Sequence, residues 1–207
     1  MTQRYTEVLD ALRTSYDAAA AGRDRMEKQD WKIKEREAFL DRLLAIEAET
    51  LLEIGAGTGQ DALFFRDGGL DVTAVDLSPA MVALCRDKGI QAYARDFLQL
   101  GFEPASFDSV YAMNSLLHVP NADFPDVLRA ARDVLVPGGL FFFGVYGGEA
   151  EEGIAAEDDQ VPKRFFSFRT DEQIFAYARE EFEIVDFHTI DDGKLLFQAL
   201  TLARPVA

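Results

Sequence analysis

The sequence predicts an α/β fold in three layers. A mostly parallel, seven-stranded sheet ends in an antiparallel C-terminal strand, with helices on both faces and a helical cap at the N-terminus. Three observations carry this. From residue 51 onward, short apolar runs alternate with helical patterns, the cadence of βαβ units. The run Leu140 to Tyr146 is apolar on both faces, as a central strand of a covered sheet must be. The last two runs flank Asp191-Asp192-Gly193-Lys194, whose turn chemistry joins antiparallel strands in a hairpin.

Taken in order, Tyr5, Leu9, Leu12 and Tyr16 recur at helical spacing, and Ala18–Ala21 runs to Gly22. The charged segment from Arg23 to Asp30 is a candidate mobile connection. A second helix is expected from Trp31 to Glu47, with Phe39, Leu40, Leu43 and Leu44 on its apolar face. Leu51 to Ile54 is the first strand, and a helix from Ala62 to Asp67 stops at Gly68-Gly69. Asp71 to Val75 is the second strand. Ser78 is a good N-cap and Pro79 suits the first turn of the helix that follows, which ends at Gly89. Gln91 to Ala94 and Ser106 to Met113 are strands three and four. A helix from Pro125 to Leu135 is ended by Pro137-Gly138-Gly139. Thr170 with Gln173 makes a capping box for a helix to about Ala178, and Phe182 to Ile190 and Leu195 to Leu202 are the hairpin strands. One domain covers 1–207: a helical cap at 1–49, a ligand-binding core at 50–148, and an acidic loop, helix and hairpin at 149–207.

The 207 residues suffice for one sizeable core. A net charge of −16 argues against a nucleic-acid partner, which demands a basic track, and against an anionic membrane surface. The start MTQRYTEVLDALR lacks a signal peptide's apolar core, and no apolar run reaches the roughly 18 residues a membrane span needs. The single cysteine, Cys85, excludes an internal disulfide and reads as a buried small hydrophobe, which fits a cytoplasmic location. One Cys and two widely separated His exclude the usual zinc spacings, so no metal is expected.

The chemistry centres on Leu51-Leu52-Glu53-Ile54-Gly55-Ala56-Gly57-Thr58-Gly59-Gln60-Asp61. A buried strand breaks into a glycine loop and re-enters as a helix, so backbone N–H groups face a ligand. A dinucleotide fold wants G-x-G-x-x-G; here Gln60 stands where that pattern has its third glycine, and no base lies in the loop. Glu53 instead suits an ammonium or a zwitterion. Asp76, at the end of strand two, can accept both hydroxyls of a ribose. Asp96, after strand three, can accept from an exocyclic amine, with the Phe97 backbone as a donor to the ring, while Leu77 and Met81 pack on a purine's faces. Each acid alone is as readily a cap or loop residue. Together, at successive strand ends, they describe an adenosine site without a phosphate subsite.

LLEIGAGTGQD, VDLSPAMV, ARDFLQL, FDSVYAMNSLLHVP and VLVPGGLFFFGVYGG resemble, in order and spacing, the motifs of class I (Rossmann-like) S-adenosylmethionine-dependent methyltransferases, small bacterial members among them. The resemblance covers about Leu51 to Gly148. It implies S-adenosylmethionine as methyl donor and S-adenosylhomocysteine as product. Gly55, Ala56, Gly57 and Gly59 then line the methionine part, Glu53 orients it, Asp76 holds the ribose and Asp96 with Phe97 the adenine. Asn114 lies beside the methyl-transfer region. Tyr16-Asp17-Ala18 followed by Trp31 resembles, more loosely, a cap whose tyrosine covers the cofactor.

The reaction implied is in-line transfer to O, N, S or C, and a base is needed only if the nucleophile carries a proton it cannot shed. His118 is a candidate base or substrate contact, or else a contact on the cofactor side or in the cap. Tyr146 either points into the pocket mouth or simply packs there. Tyr16 is the third candidate. His188, in the hairpin, reads as structural. Arg164-Phe165-Phe166-Ser167-Phe168-Arg169 either walls a substrate pocket or packs as a strand, and Glu149 to Asp159, with six acids and no base, is a solvated loop or a substrate lid. The compact chain favours a small-molecule acceptor; monomer and homodimer stay open. Two alternatives remain: a catalytically silent S-adenosylmethionine-binding partner protein, and a nicotinamide-dependent oxidoreductase, against which the glycine spacing counts.

Overall fold

A computed structural model describes residues 3–193 and 195–206. Lys194, the last residue of the expected hairpin turn, lies outside them, as do Met1, Thr2 and Ala207.

Two helices, α1 (Tyr5–Arg23) and α2 (Asp30–Ala45), precede β1 (Thr50–Ile54). There follow α3 (Gln60–Asp67), β2 (Asp71–Asp76), α4 (Pro79–Asp87), β3 (Gln91–Ala94), β4 (Phe107–Met113), α5 (Phe124–Val134) and β5 (Leu135–Gly147). The chain ends with β6 (Glu151–Ile154), β7 (Phe165–Phe168), α6 (Asp171–Glu181), β8 (Glu183–Asp191) and β9 (Leu196–Ala203). The seven-stranded sheet runs β3-β2-β1-β4-β5-β9-β8. β1 to β5 are mutually parallel, whereas β9 is antiparallel to both β5 and β8.

Side chains alternate across a strand, so each strand feeds two cores. Leu52, Val110, Phe141 and Phe143 face one layer with Tyr5, Val8 and Leu12 of α1 and with α5 and α6. Leu51, Tyr111, Phe142 and Phe197 face the other, against Phe39 and Leu43 of α2 and against α3 and α4. The two N-terminal helices therefore join opposite cores. The connection between them must pass over the edge of the sheet, and residues 26–29 line the cavity at the carboxyl ends of β1 and β4. Local signals agree with the ends of the elements. The Ser78 hydroxyl accepts from the Met81 N–H, and Thr170 with Gln173 closes a reciprocal capping box.

The acidic segment differs from a plain loop. Residues 151–154 form β6, which pairs antiparallel with β7, the strand carrying the Phe165-Phe166-Ser167-Phe168 aromatics. Glu152 accepts from the Asn121 N–H (2.6 Å) and the Ser167 hydroxyl (3.1 Å), and Asp158 grips Arg164 at 2.7 and 3.0 Å. These acids are partners of neighbouring donors, which is why the run is not purely solvated.

Candidate functional site

β1 ends in a glycine loop because the backbone there turns left-handed. Gly55, Gly57 and Gly59 have φ of 74°, 55° and 78°. At Gly55 the need is also steric: a Cβ would stand 2.2 Å from the Ser115 Cβ. Gly57 has open space on that side and lines the cavity. Gly59 does not line it; it precedes α3 and packs on Cys85, whose Sγ a Cβ would meet at 2.9 Å. It stands at the start of that helix as its N-cap.

The loop, the ends of β2 and β4, and the α1–α2 connection enclose a cavity of about 560 Å³, a size usual for a small-molecule site. Of the residues singled out from sequence, Tyr16, Glu53, Gly55, Ala56, Gly57, Asp76, Leu77, Met81, Phe97, Asn114 and His118 line it.

Asp76 is buried and accepts from Gly57 N–H (2.8 Å) and Ser78 N–H (2.9 Å). Burial nevertheless pushes its carboxyl up to about 6. Glu53 is buried too, and burial first, then Asp61, hold its carboxyl well above the usual range. Among the described residues, its Oε2 has no hydrogen-bond partner, nor has the buried Oδ1 of Asn114. Asn114 also sits at φ 55°, a conformation rare outside glycine, held by its N–H bond to Gly144 O at 2.7 Å. Two unsatisfied buried acceptors on residues lining one cavity are what a ligand rich in donors would complete.

Tyr16 and His118, 102 residues apart, meet over this cavity: Tyr16 Oη lies 2.5 Å from His118 Nε2. The other ring nitrogen, Nδ1, lies 2.7 Å from the Phe165 carbonyl, which can only accept. Nδ1 therefore carries the proton, Nε2 accepts, and the Tyr16 hydroxyl donates to it. Arg164 Nη1 in turn donates to Tyr16 Oη at 3.2 Å. Burial pushes His118 down to about 4, so the ring is neutral at pH 7, and burial raises Tyr16 despite Arg23 and Arg164.

Two further residues singled out from sequence stand off the cavity lining. Asp96 does not line the cavity: its Oδ1 accepts from Leu98 N–H (2.8 Å) and Gln99 N–H (3.0 Å), capping the turn after β3. The Phe97 ring lines the cavity and stacks on Tyr5, with centroids 5.8 Å apart. Tyr146 is likewise off the cavity. It shares the face of Phe142, packs edge-on against Trp31 and Phe197, and its hydroxyl donates to Asp192 (2.9 Å). His188 is half-exposed and lies 3.1 Å from Glu35, bridging β8 to α2.

Residues not singled out also enter. Asp17 accepts from the Ser78 hydroxyl (2.5 Å) and Ala80 N–H (3.1 Å), tying α1 to the start of α4. Lys28 (2.6 Å) and Arg36 (3.0 Å) pair with Asp61, and Lys88 pairs with Asp24 (2.6 Å), fastening the connection over the loop. Only the acidic half of this pairing, Asp61 beside the glycines, was legible in a motif. Among the described residues no group of three or more His, Cys, Asp or Glu is placed to hold a metal, and no helix is long and apolar enough to cross a membrane.

A parallel sheet closed by a reversed strand, with a glycine loop after β1 and an acid at the end of β2, defines the class I methyltransferase fold. Residues 51–139, somewhat under half of the chain, match the family model described as a methyltransferase domain. A ubiquinone biosynthesis O-methyltransferase of Xanthomonas euvesicatoria is 33% identical over half of this chain, and the chain spans 46% of that relative's length. An uncharacterized methyltransferase of Oceanobacillus iheyensis is 23% identical over 91% of both chains. Among solved structures, the Burkholderia thailandensis 1,6-didemethyltoxoflavin-N1-methyltransferase, with 1,6-didemethyltoxoflavin and S-adenosylhomocysteine bound, superposes with a TM-score of 0.76. It is 21% identical, over 99% of this chain and 92% of that one. The [4+2]-cyclase SpnF superposes at 0.66 with 21% identity over 82% of this chain and 81% of that one, so the fold also carries other chemistry.

Proposed function

We propose that the protein binds S-adenosylmethionine in this cavity and transfers its methyl group to a small-molecule acceptor. One observation carries the reading: Asp76, the open Gly57 and the unsatisfied oxygens of Glu53 and Asn114 converge on a single cavity. Glu53 and Asn114 suit the donor-rich amino-acid end. Asp76 suits the ribose hydroxyls, because its oxygens keep lone pairs beyond the two N–H bonds they accept. Leu77, Met81 and the Phe97 ring suit the purine faces.

Bound S-adenosylmethionine supplies an activated sulfonium methyl for in-line displacement. The chain's own part is alignment, exclusion of water by α1 and the connection, and the handling of any proton. The Tyr16–His118 pair suits the last task. A proton given to Tyr16 Oη is matched by the Tyr16 proton moving to His118 Nε2. A ring pushed down to about 4 is a weak proton store, so the pair suits an acceptor that becomes acidic as its new bond to carbon forms.

The net charge of −16 supports a small molecule over nucleic acid or an anionic membrane. The free, buried Cys85 supports a reducing, cytoplasmic setting. Incubation with methyl-labelled S-adenosylmethionine and pooled small-molecule fractions should yield a labelled product. Tyr16→Phe should lower its rate at least tenfold while S-adenosylhomocysteine affinity stays within threefold. Tight binding of S-adenosylhomocysteine with no labelled product from any fraction would favour the silent binding protein instead.

A further inference from the structure

Among the described residues, two cations lining the cavity have no carboxylate within ion-pair distance. Arg23, the last residue of α1, holds its guanidinium 4.9 Å from the centre of the Tyr16 ring. Lys32, in the first turn of α2, holds its ammonium 5.0 Å from the Trp31 ring and 5.5 Å from the Tyr146 ring. Both line the cavity, and neither side chain has an ion-pair or hydrogen-bond partner among the described residues. Three neighbouring cations are matched: Lys28 and Arg36 by Asp61, and Lys88 by Asp24.

The carboxyls lining the same cavity are also committed. Asp61 holds its two cations, and Asp76 takes two N–H bonds. Burial holds the Glu53 carboxyl well above its usual range, and Glu27 sits exposed at the rim. Around Lys32, Asp192 and Asp61 attract at longer range while Lys28 and Arg23 repel, and burial outweighs them, pushing the ammonium down to about 8. A protein with 37 acids and 21 bases has ample means to neutralise two cations. Leaving them half-desolvated over aromatic rings costs stability, which an arriving anion recovers.

We propose that Arg23 and Lys32 form an anion-recognition pair for the methyl acceptor, which therefore carries a carboxylate or a comparable anionic group. The pair enters from the two ends of the connection that crosses the cavity, so it brackets whatever lies beneath. The inference rests on the cofactor reading above, and it adds the charge of the second substrate.

The test is calorimetry on protein saturated with S-adenosylhomocysteine. A matched set of small aromatic and aliphatic carboxylates is titrated beside the corresponding neutral amides. At least one carboxylate should bind tenfold or more tightly than its amide. Arg23→Gln and Lys32→Gln should each reduce that preference about tenfold while leaving S-adenosylhomocysteine affinity within twofold, and Lys32→Arg should restore it. Thermal unfolding of each variant confirms that it folds. Equal binding of every carboxylate and its amide overturns the proposal. So does a tenfold loss of S-adenosylhomocysteine affinity in these variants, which would assign the cations to the cofactor's own carboxylate. Failure of the cofactor reading shows earlier and separately, as no binding of S-adenosylhomocysteine to the unaltered protein.

Discussion

His118 illustrates how much one side chain's surroundings decide. A carbonyl at Nδ1 fixes the tautomer, and the same burial that fixes it keeps the ring neutral. A base whose pKa falls from 6.5 to about 4 on folding stabilises the protein fully above pH 6.5 and loses that contribution as the pH falls toward 4. Between pH 6.5 and 5 the loss is about 2 kcal/mol. Urea unfolding of His118→Asn should therefore lose less stability than the unaltered protein over that interval; equal slopes would mean the ring is not buried neutral. At Gly55 the expectation is steric: Gly55→Ala meets Ser115 at 2.2 Å and must hold φ at 74°. Overpacking and left-handed strain together should cost about 2–5 kcal/mol and abolish ligand binding. At this scale the glycines, Glu53 and Asp76 were legible because residue type and spacing carry their chemistry. The Tyr16–His118 bond was not, since nothing in the sequence joins positions 102 apart. Tyr146 was left open for a related reason. Its parity with Phe142 sets its face, but which face α2 covers is a tertiary fact. Asp96 stays ambiguous in sequence because a carboxylate before two free N–H groups is as good a turn cap as a ligand contact.

Among the elements, the connection between α1 and α2 has the most consequence. As sequence it is a charged run with no periodicity, and its value comes from where it crosses. Because α1 and α2 join opposite cores, residues 24–29 lie over the glycine loop, fastened by Lys28–Asp61, Lys88–Asp24 and the Gln60 amide on Met26 O (3.1 Å). A ligand under this strap must be enclosed by it. Hydrogen exchange at residues 24–29 should slow at least fivefold when S-adenosylhomocysteine is added, while exchange in β8 and β9 stays unchanged. Unaltered exchange in the strap would show that it does not close on the ligand. The strands and helices themselves were readable from apolar periodicity and caps to within a few residues, apart from β6. Six acids hide that strand, whose partners Asn121 and Ser167 are remote in sequence.

For the molecule as a whole, α/β alternation and the C-terminal hairpin determined the sheet, and the observed order β3-β2-β1-β4-β5-β9-β8 realises them. Burying both faces leaves little choice of side, so the binding edge follows from topology. The net charge of −16 acts at this scale too. Self-repulsion should make the protein gain about 2–4 °C in Tm from 0.05 to 0.5 M NaCl, since screening relieves it more than it weakens the few cavity ion pairs. A fall in Tm would place the balance with those ion pairs. Everything proposed for the cavity depends on its donor ligand. Calorimetric titration with S-adenosylhomocysteine tests this most directly. The account predicts micromolar binding that Asp76→Ala weakens at least tenfold and Tyr146→Phe leaves unchanged, with no binding of NADH. Absence of S-adenosylhomocysteine binding at millimolar concentration, or equal affinity in Asp76→Ala, would contradict it.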